Sequence, residues 1–283
     1  MCDGKKLALN HAEYRALKAV NQSGLKDFLE SPELYYRKCV TREIPENPPT
    51  PSMIFGSNAE RFVFHGRYPE DVVEIPASAL NADGHRKGGQ WTAFKAQYPE
   101  TMRLLTANEF AAEIGPLQFL REQTMSHPRA GKLVSADKET SVVITWTDDA
   151  TGLPCKAELD LVSSFGILCD FKTSESVLPS KFSRSILDFG YHIQKRWYQT
   201  AWRELTGDKL PFVFIVARNK PPYNVETFDL HERWDELADA RIKYGLERMA
   251  KAYQSGEWRS PTWGDVHTLE CPRWADNTLT FDL

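Results

Sequence analysis

The stretch CKAELDLVSSFGILCDFKTS, from Cys155 to Ser174, decides how the rest of the chain is read. Two strand-forming runs, Leu153 to Val162 and Ile167 to Lys172, flank the turn-forming Ser163-Ser164-Phe165-Gly166. A three-residue loop ending in a left-handed Gly is a common closure for a hairpin. With that loop, Asp160 falls opposite Asp170 and Glu158 opposite Lys172. Side-chain alternation then gathers these four on one face and turns Leu159, Leu161, Cys169 and Phe171 to the other. One face is ionic and the other apolar.

Carboxylates facing each other across a strand pair repel. A hard divalent cation that prefers oxygen ligands would compensate, with the carbonyl of Phe171 as a further oxygen donor. Lys172 would lie beside that ion, where an ammonium can position a water and offset charge developing on a phosphate. Taken alone, Asp170-Phe171-Lys172 is a short, common triplet, for which a solvated strand face is the simpler account.

Outward from this hairpin, Ser141 to Trp146, Phe212 to Ala217 and Asn224 to Phe228 also carry strand signals, and Tyr191 to Leu205 and Leu230 to Ser255 carry helical ones. On the amino-terminal side, SGLKDFLESPELYYR (Ser23 to Arg37) predicts two short helices about Ser31-Pro32, opening on an N-cap candidate. The Pro-rich IPENPPTPS reads as a connector. A helix bearing Phe55, Ala59, Phe62 and Val63 should follow and end near Gly66. Residues 76–95 read as a polar, Gly-containing loop entering a helix, and Ala107 to His127 as a helix with Phe110, Ile114, Leu117 and Leu120 on its stripe. The expected fold is α/β, a mixed sheet flanked by helices, in one domain over 1–283. Residues 1–130 would be mostly helical with a basic loop, and 131–283 would hold the sheet.

The composition fits a packed protein: 283 residues, 41% hydrophobic and 26% charged, with eight Trp and fifteen Phe. No apolar run of about eighteen residues exists, and the start lacks the apolar stretch of a secretory signal, so a cytoplasmic protein with no membrane contact is expected. Five cysteines without CxxC spacing suggest neither a disulfide framework nor a zinc site. A net charge of −4 argues against a generic DNA-coating protein, so any nucleic-acid site must be a local groove.

The Cys155–Ser174 stretch resembles the active-site hairpin of the PD-(D/E)xK nuclease superfamily. About twenty residues on, YHIQKRWYQTAW is similar to the Gln-x-x-x-Tyr helix of the exonuclease VIII (RecE-like) branch, here Gln194 and Tyr198, one turn apart on one helical face. SGLKDFLESPELYYRK resembles that branch's S-x-L-K-x-x-x-x-S-P-x-x-Y opening, SMIFGSNAERFVFHGRYPEDV its next helix, and GHRKGGQWTAF its basic loop. The resemblance spans Ser23 to Ala217.

It implies a restriction-endonuclease-like core with helical amino-terminal additions, and a Mg²⁺ ion, with Mn²⁺ as the alternative, held by Asp160 and Asp170. Lys172 would assist the attacking water, and Gln194 and Tyr198 would position phosphate or nucleophile. Many relatives place a His ligand four residues after the Gly that here is Gly56; this chain has Glu60, whose carboxylate suits a hard ion. His65 is the competing candidate, set well off the Glu60 direction on a helix. Glu158, where relatives more often carry a basic residue, would orient Lys172 or add an acid near the metal. Glu139 is either a site acid or a strand-edge residue. The amino-terminal Cys of iron–sulfur relatives is here Ser31 and only Cys271 lies at the far end, so no iron–sulfur cluster is expected.

Candidate DNA contacts are Arg86 and Lys87 in the Gly-bounded loop, Lys181 and Arg184 after the hairpin, and Lys195 and Arg196 on the Gln194 helix. Trp91 would stack on a terminal base or anchor the core. By resemblance the activity is 5′ to 3′ degradation of one strand from double-stranded DNA ends, by a ring-shaped homo-oligomer of phage or prophage origin supplying a single-strand annealing protein. The rival readings are an endonuclease or nickase with the same centre and a non-catalytic DNA-binding module.

Overall fold

The turn that closes the central hairpin forms as its sequence predicts. In the computed structural model, which describes residues 3–45, 47–260 and 262–271, Gly166 takes φ +68° and its N–H donates to the Ser163 carbonyl at 2.9 Å. A side chain at that φ would be strained, so the Gly fixes both the turn and the register it imposes.

The strands in chain order are β1 (Lys5–Leu7), β2 (Val72–Glu74), β3 (Arg103–Leu105), β4 (Lys138–Thr147), β5 (Pro154–Ser163), β6 (Ile167–Ser174), β7 (Phe212–Arg218) and β8 (Val225–Phe228). Six of them make one sheet in the order β1-β4-β5-β6-β7-β8, while β2 and β3 form a separate parallel pair. Within the main sheet only β6 and β7 are parallel. The fold is thus mixed α/β with a mainly antiparallel sheet flanked by helices.

The hairpin ladder is short. Ser163 pairs with Ile167, Val162 with Leu168 and Leu161 with Cys169, and there it stops. Beyond that rung β5 stays with β4, while β6 runs alongside β7 from Leu168 to Ser174. Asp160 and Asp170 would form the next rung, so the strands fork at the two aspartates.

The fork corrects the expected sorting of faces. Ala157 and Leu159 pack into the core on one side of the sheet, with Val162 and Leu168, whereas Leu161, Cys169 and Phe171 pack into the core on the other. Strict alternation would have kept Leu159 and Leu161 together. The break coincides with Ser141 on β4, which lies between the rungs Thr140–Leu161 and Val142–Leu159 and takes φ +51°.

The helices in chain order are α1 (His11–Ala16), α2 (Gln22–Glu30), α3 (Pro32–Tyr35), α4 (Pro51–His65), α5 (Gly89–Lys95), α6 (Ala107–Ser126), α7 (Ala130–Ser135), α8 (Pro179–Asp188), α9 (Tyr191–Thr206) and α10 (Glu232–Ser255). The cap of α2 is Asn21, whose Oδ1 accepts from the Gly24 N–H at 2.8 Å; Ser23, at the expected opening, lies inside the first turn. α3 continues as a π-helical turn over Tyr36–Val40. The Pro-rich connector also starts α4: Thr50 caps it and Pro51 fills the first position, where a missing N–H costs nothing. Gly66, at φ +67°, ends it.

Leu25 and Phe28 of α2, Trp197 and Ala201 of α9 and Met249 of α10 cover one face of the sheet. Ala59 and Val63 of α4, Ile114 and Leu120 of α6 and Leu133 of α7 cover the other. Both faces are therefore dry, and polar groups survive inside only where partners are built in. No described helix is long and apolar enough to cross a membrane.

Candidate active site

The fork is where the polar groups collect. Asp170 on β6 is fully buried, and Gln194 on α9 donates from Nε2 to its Oδ1 at 2.6 Å. The same Nε2 lies 3.1 Å from the Tyr198 hydroxyl one turn on, so the two hydrogens of this amide hold the carboxylate and the phenol together. Lys172 Nζ lies 2.6 Å from Asp170 Oδ2 and stands over the Tyr191 ring, 5.1 Å from its centroid. This Oδ2 is an ion-pair partner of Lys172 without a directed hydrogen bond.

Two further carboxylates face this pair. Burial first, then Asp170 and Glu60, hold the Asp160 carboxyl well above its usual range, and Lys172 only partly opposes them. Glu60, on α4 from the opposite layer, is raised to about 7 by burial and then by Asp170. α4 can come this close because Gly56 faces β6: a Cβ there would sit 3.1 Å from Thr173 Oγ1. Burial and Lys172 both act on the Tyr191 hydroxyl, and burial prevails in raising it.

The donor set suits a hard cation. Glu60, Asp160 and Asp170 offer oxygens only and repel one another in a largely buried position. Among the described residues no three carboxylate, imidazole or thiol groups are already poised around a common ion position. Lys172 itself supplies the positive charge nearest Asp170 Oδ2. Of the two candidates on α4, Glu60 is the one in this electrostatic cluster. His65 is exposed at the helix end, where burial and the cations Arg67, Lys138 and Arg61 lower its affinity for a proton.

Of the other expected site residues, Glu158 stays near the centre as an added acid, its charge raising Glu60 further, but without Lys172 as a partner. Glu158 pairs in register with Val143 of β4, and its carboxylate meets His11 Nδ1 at 3.1 Å, so the expected pairing with Lys172 does not form. The fork is the reason. Glu139 bonds to Lys6 of β1 on the sheet's outer side, as a strand-edge residue does. Phe171 lies between Asp170 and Lys172, with its ring 6.0 Å from that of Phe64 in the opposite core.

Among the proposed DNA contacts, Lys195 and Arg196 are corrected. Lys195 is 4% exposed, donates to the Leu230 carbonyl at 3.2 Å and pairs with Asp235 at 2.9 Å. Arg196 makes a two-pronged bond to Asp239 at 2.8 and 2.9 Å. Both bind α9 to α10, because that face of α9 is covered by protein. Lys195→Ala is accordingly expected to lower unfolding free energy by about 2–3 kcal/mol, through an unpaired Asp235 and a lost buried contact. Urea denaturation would measure it, and a loss below about 0.5 kcal/mol would contradict the structural role.

Of the remaining cations three are exposed and one is engaged. Lys181 and Arg184 are exposed on α8, and Lys87 is exposed in the loop before α5. Arg86 is engaged with Glu109 and, at 2.9 Å, with the Leu104 carbonyl. Trp91 is half-buried on α5, 6.3 Å from Phe94.

A family model described as a PDDEXK-like domain of unknown function (DUF3799) matches residues 21–262. The chain belongs to this PDDEXK-like family. It is also similar to the crystal structure of a Eubacterium rectale protein described as a candidate exonuclease, at 17% identity with a TM-score of 0.60, covering 97% of this chain and 100% of that one. That likeness concerns the fold. A second structure, that of SSO0001, aligns at 13% identity with a TM-score of 0.27, over 69% of this chain and 86% of that one. No curated protein matches.

In this PDDEXK-like chain the fold brings together residues that the linear reading missed. Tyr191 supports Lys172, His11 holds Glu158, and Lys26 of α2 is close enough for the Lys172 charge to act on it. Lys26 is the Lys of the quoted S-x-L-K opening, so its sequence signal was present.

Proposed function

We propose that this protein is a divalent-metal-dependent exodeoxyribonuclease that degrades one strand of linear double-stranded DNA. The observation that carries the reading is the buried cluster in which Glu60, Asp160 and Asp170 lie close enough for their charges to act on one another, with Lys172 2.6 Å from Asp170 and Gln194 bonded to it. Paired carboxylates pressed together in a largely buried position are unfavourable unless they serve a cation. When bound, a Mg²⁺ or Mn²⁺ ion would polarise the scissile phosphate and acidify a water.

The chain's own groups divide the remaining work. Gln194 fixes the Asp170 carboxylate, and Tyr198 fixes Gln194. Lys172, held over Tyr191, balances negative charge on the phosphate during attack. Lys87, Lys181 and Arg184 would guide the backbone to the centre, with Trp91 as the stacking candidate. The exonuclease VIII-like branch, a phage or prophage setting in the bacterial cytoplasm, 5′ to 3′ polarity, a ring-shaped oligomer and an annealing partner belong to this proposal through the sequence resemblance.

The test compares linear duplex with covalently closed circular DNA, with Mg²⁺ and with EDTA. Linear DNA should be consumed in Mg²⁺, the circle should persist, and EDTA should bring degradation to background. Nicking of the circle would favour the endonuclease reading. Degradation that persists in EDTA would overturn the metal-dependent mechanism.

A further inference from the structure

Lys26 is a cation beside the centre to which no role has been given. Its side chain crosses the backbone just before α9: a Cβ built on Gly190 would come within 2.6 Å of Lys26 Cδ, and Gly190 takes φ +65°. The left-handed φ favours glycine there, and a side chain at that position would push the lysine stem aside. At its end Lys26 Nζ donates to the Phe189 carbonyl at 2.9 Å, a neutral acceptor. Lys172 stands by the same corner, over the ring of Tyr191, the first residue of α9, and near enough for its charge to act on Lys26.

Two ammonium groups are thus held about one backbone corner. Burial, and after it the charge of Lys172, lower Lys26 to about 8, while Asp27 and Asp170 oppose this more weakly. An anion between the two lysines would relieve their repulsion and offer Lys26 a stronger acceptor than a carbonyl. The approach is open, since Phe189 is exposed and Lys181 and Arg184 line the outer face of α8.

We infer that Lys26 is a substrate-binding residue that exchanges the Phe189 carbonyl for a phosphate oxygen of the DNA strand led to Asp170 and Lys172. The inference rests on the nuclease reading. The ligand class is a phosphodiester, and the contact is independent of base sequence.

Binding of a short linear duplex in Ca²⁺, followed by fluorescence anisotropy over a salt series, tests it. Lys26→Gln should weaken binding about tenfold near 0.1 M salt and reduce the slope of log K against log salt by about one. Lys26→Arg should keep the slope, and Lys26→Met, which retains the aliphatic stem over Gly190, should behave as Lys26→Gln. Unchanged affinity and slope in Lys26→Gln or Lys26→Met would overturn the inference. So would Lys26→Arg losing as much as they do, because packing alone would then be the cause. Wild-type protein that cuts DNA while these variants bind normally removes only the Lys26 role. Wild-type protein that neither binds nor cuts removes the nuclease reading with it.

Discussion

Asp170→Asn is expected to lower duplex cleavage in Mg²⁺ by about 10³-fold or more while leaving the protein folded. The carboxamide oxygen can still accept the Gln194 Nε2 hydrogen bond that now measures 2.6 Å, so the buried site keeps its main anchor. What disappears is the charge that a cation needs and that Lys172 faces at 2.6 Å. Loss of a charged ligand and of preorganised electrostatics accounts for an effect of this size. Lys172→Ala should fall in the same range, with Asp170 left buried and uncompensated, and should also be less stable than Asp170→Asn. Initial rates on end-labelled linear duplex, together with urea melts, measure both. Activity within about tenfold of wild type in either variant would remove this centre from the reaction.

The second large effect is on stability. Glu60 rises from an ordinary 4.5 to about 7 in the folded, metal-free chain, and Asp160 is raised as well. The folded state therefore keeps protons that the unfolded chain releases. Below pH 4.5 Glu60 is protonated in both states and imposes no penalty. As pH climbs from there through about 7, the penalty grows to about 3 kcal/mol and then levels off. With EDTA present, melting temperature should fall between pH 5 and pH 8. A divalent ion binds the deprotonated carboxylates, so Mg²⁺ or Mn²⁺ should raise the melting temperature more at pH 8 than at pH 5. Asp170→Asn should flatten both trends, because Asp170 is the leading charge acting on Glu60 and Asp160. Equal cation-induced shifts at the two pH values would refute the coupling.

The parts legible in the sequence were those set by neighbours along the chain. Gly166 dictates a turn within four residues, and the hairpin and its three rungs follow from it, the last at Leu161 and Cys169 just short of the two aspartates. Gln194 and Tyr198 share a helical face by spacing alone, and the structure joins them through one amide. α8 did carry a signal that went unread, with Pro179 at its first position and Phe182 and Ile186 four apart on its buried face. The three-residue strands β1, β2 and β3 carry little pattern.

Other misreadings arose from contacts distant in sequence. Lys195 and Arg196 look like a surface pair until α10 delivers Asp235 and Asp239 to them. Glu158 lost its expected partner because β5 and β6 part after the rung of Leu161 and Cys169, a divergence that alternation within one hairpin cannot reveal. Lys26 stands in the quoted S-x-L-K opening, but its surroundings could not be read there, since its neighbours lie at Phe189, Gly190 and Lys172.

The early end of the ladder at Leu161 and Cys169 has a mechanical meaning. Asp160 and Asp170 are the tips of a pair of dividers pivoted at Gly166, with one arm fastened to β4 and the other to β7. No rung fixes the gap between the tips. The gap follows the pitch between the two halves of the sheet, so repacking at a distance, around Ser141 on one arm or Val213 on the other, would change the separation of the two carboxylates without touching either.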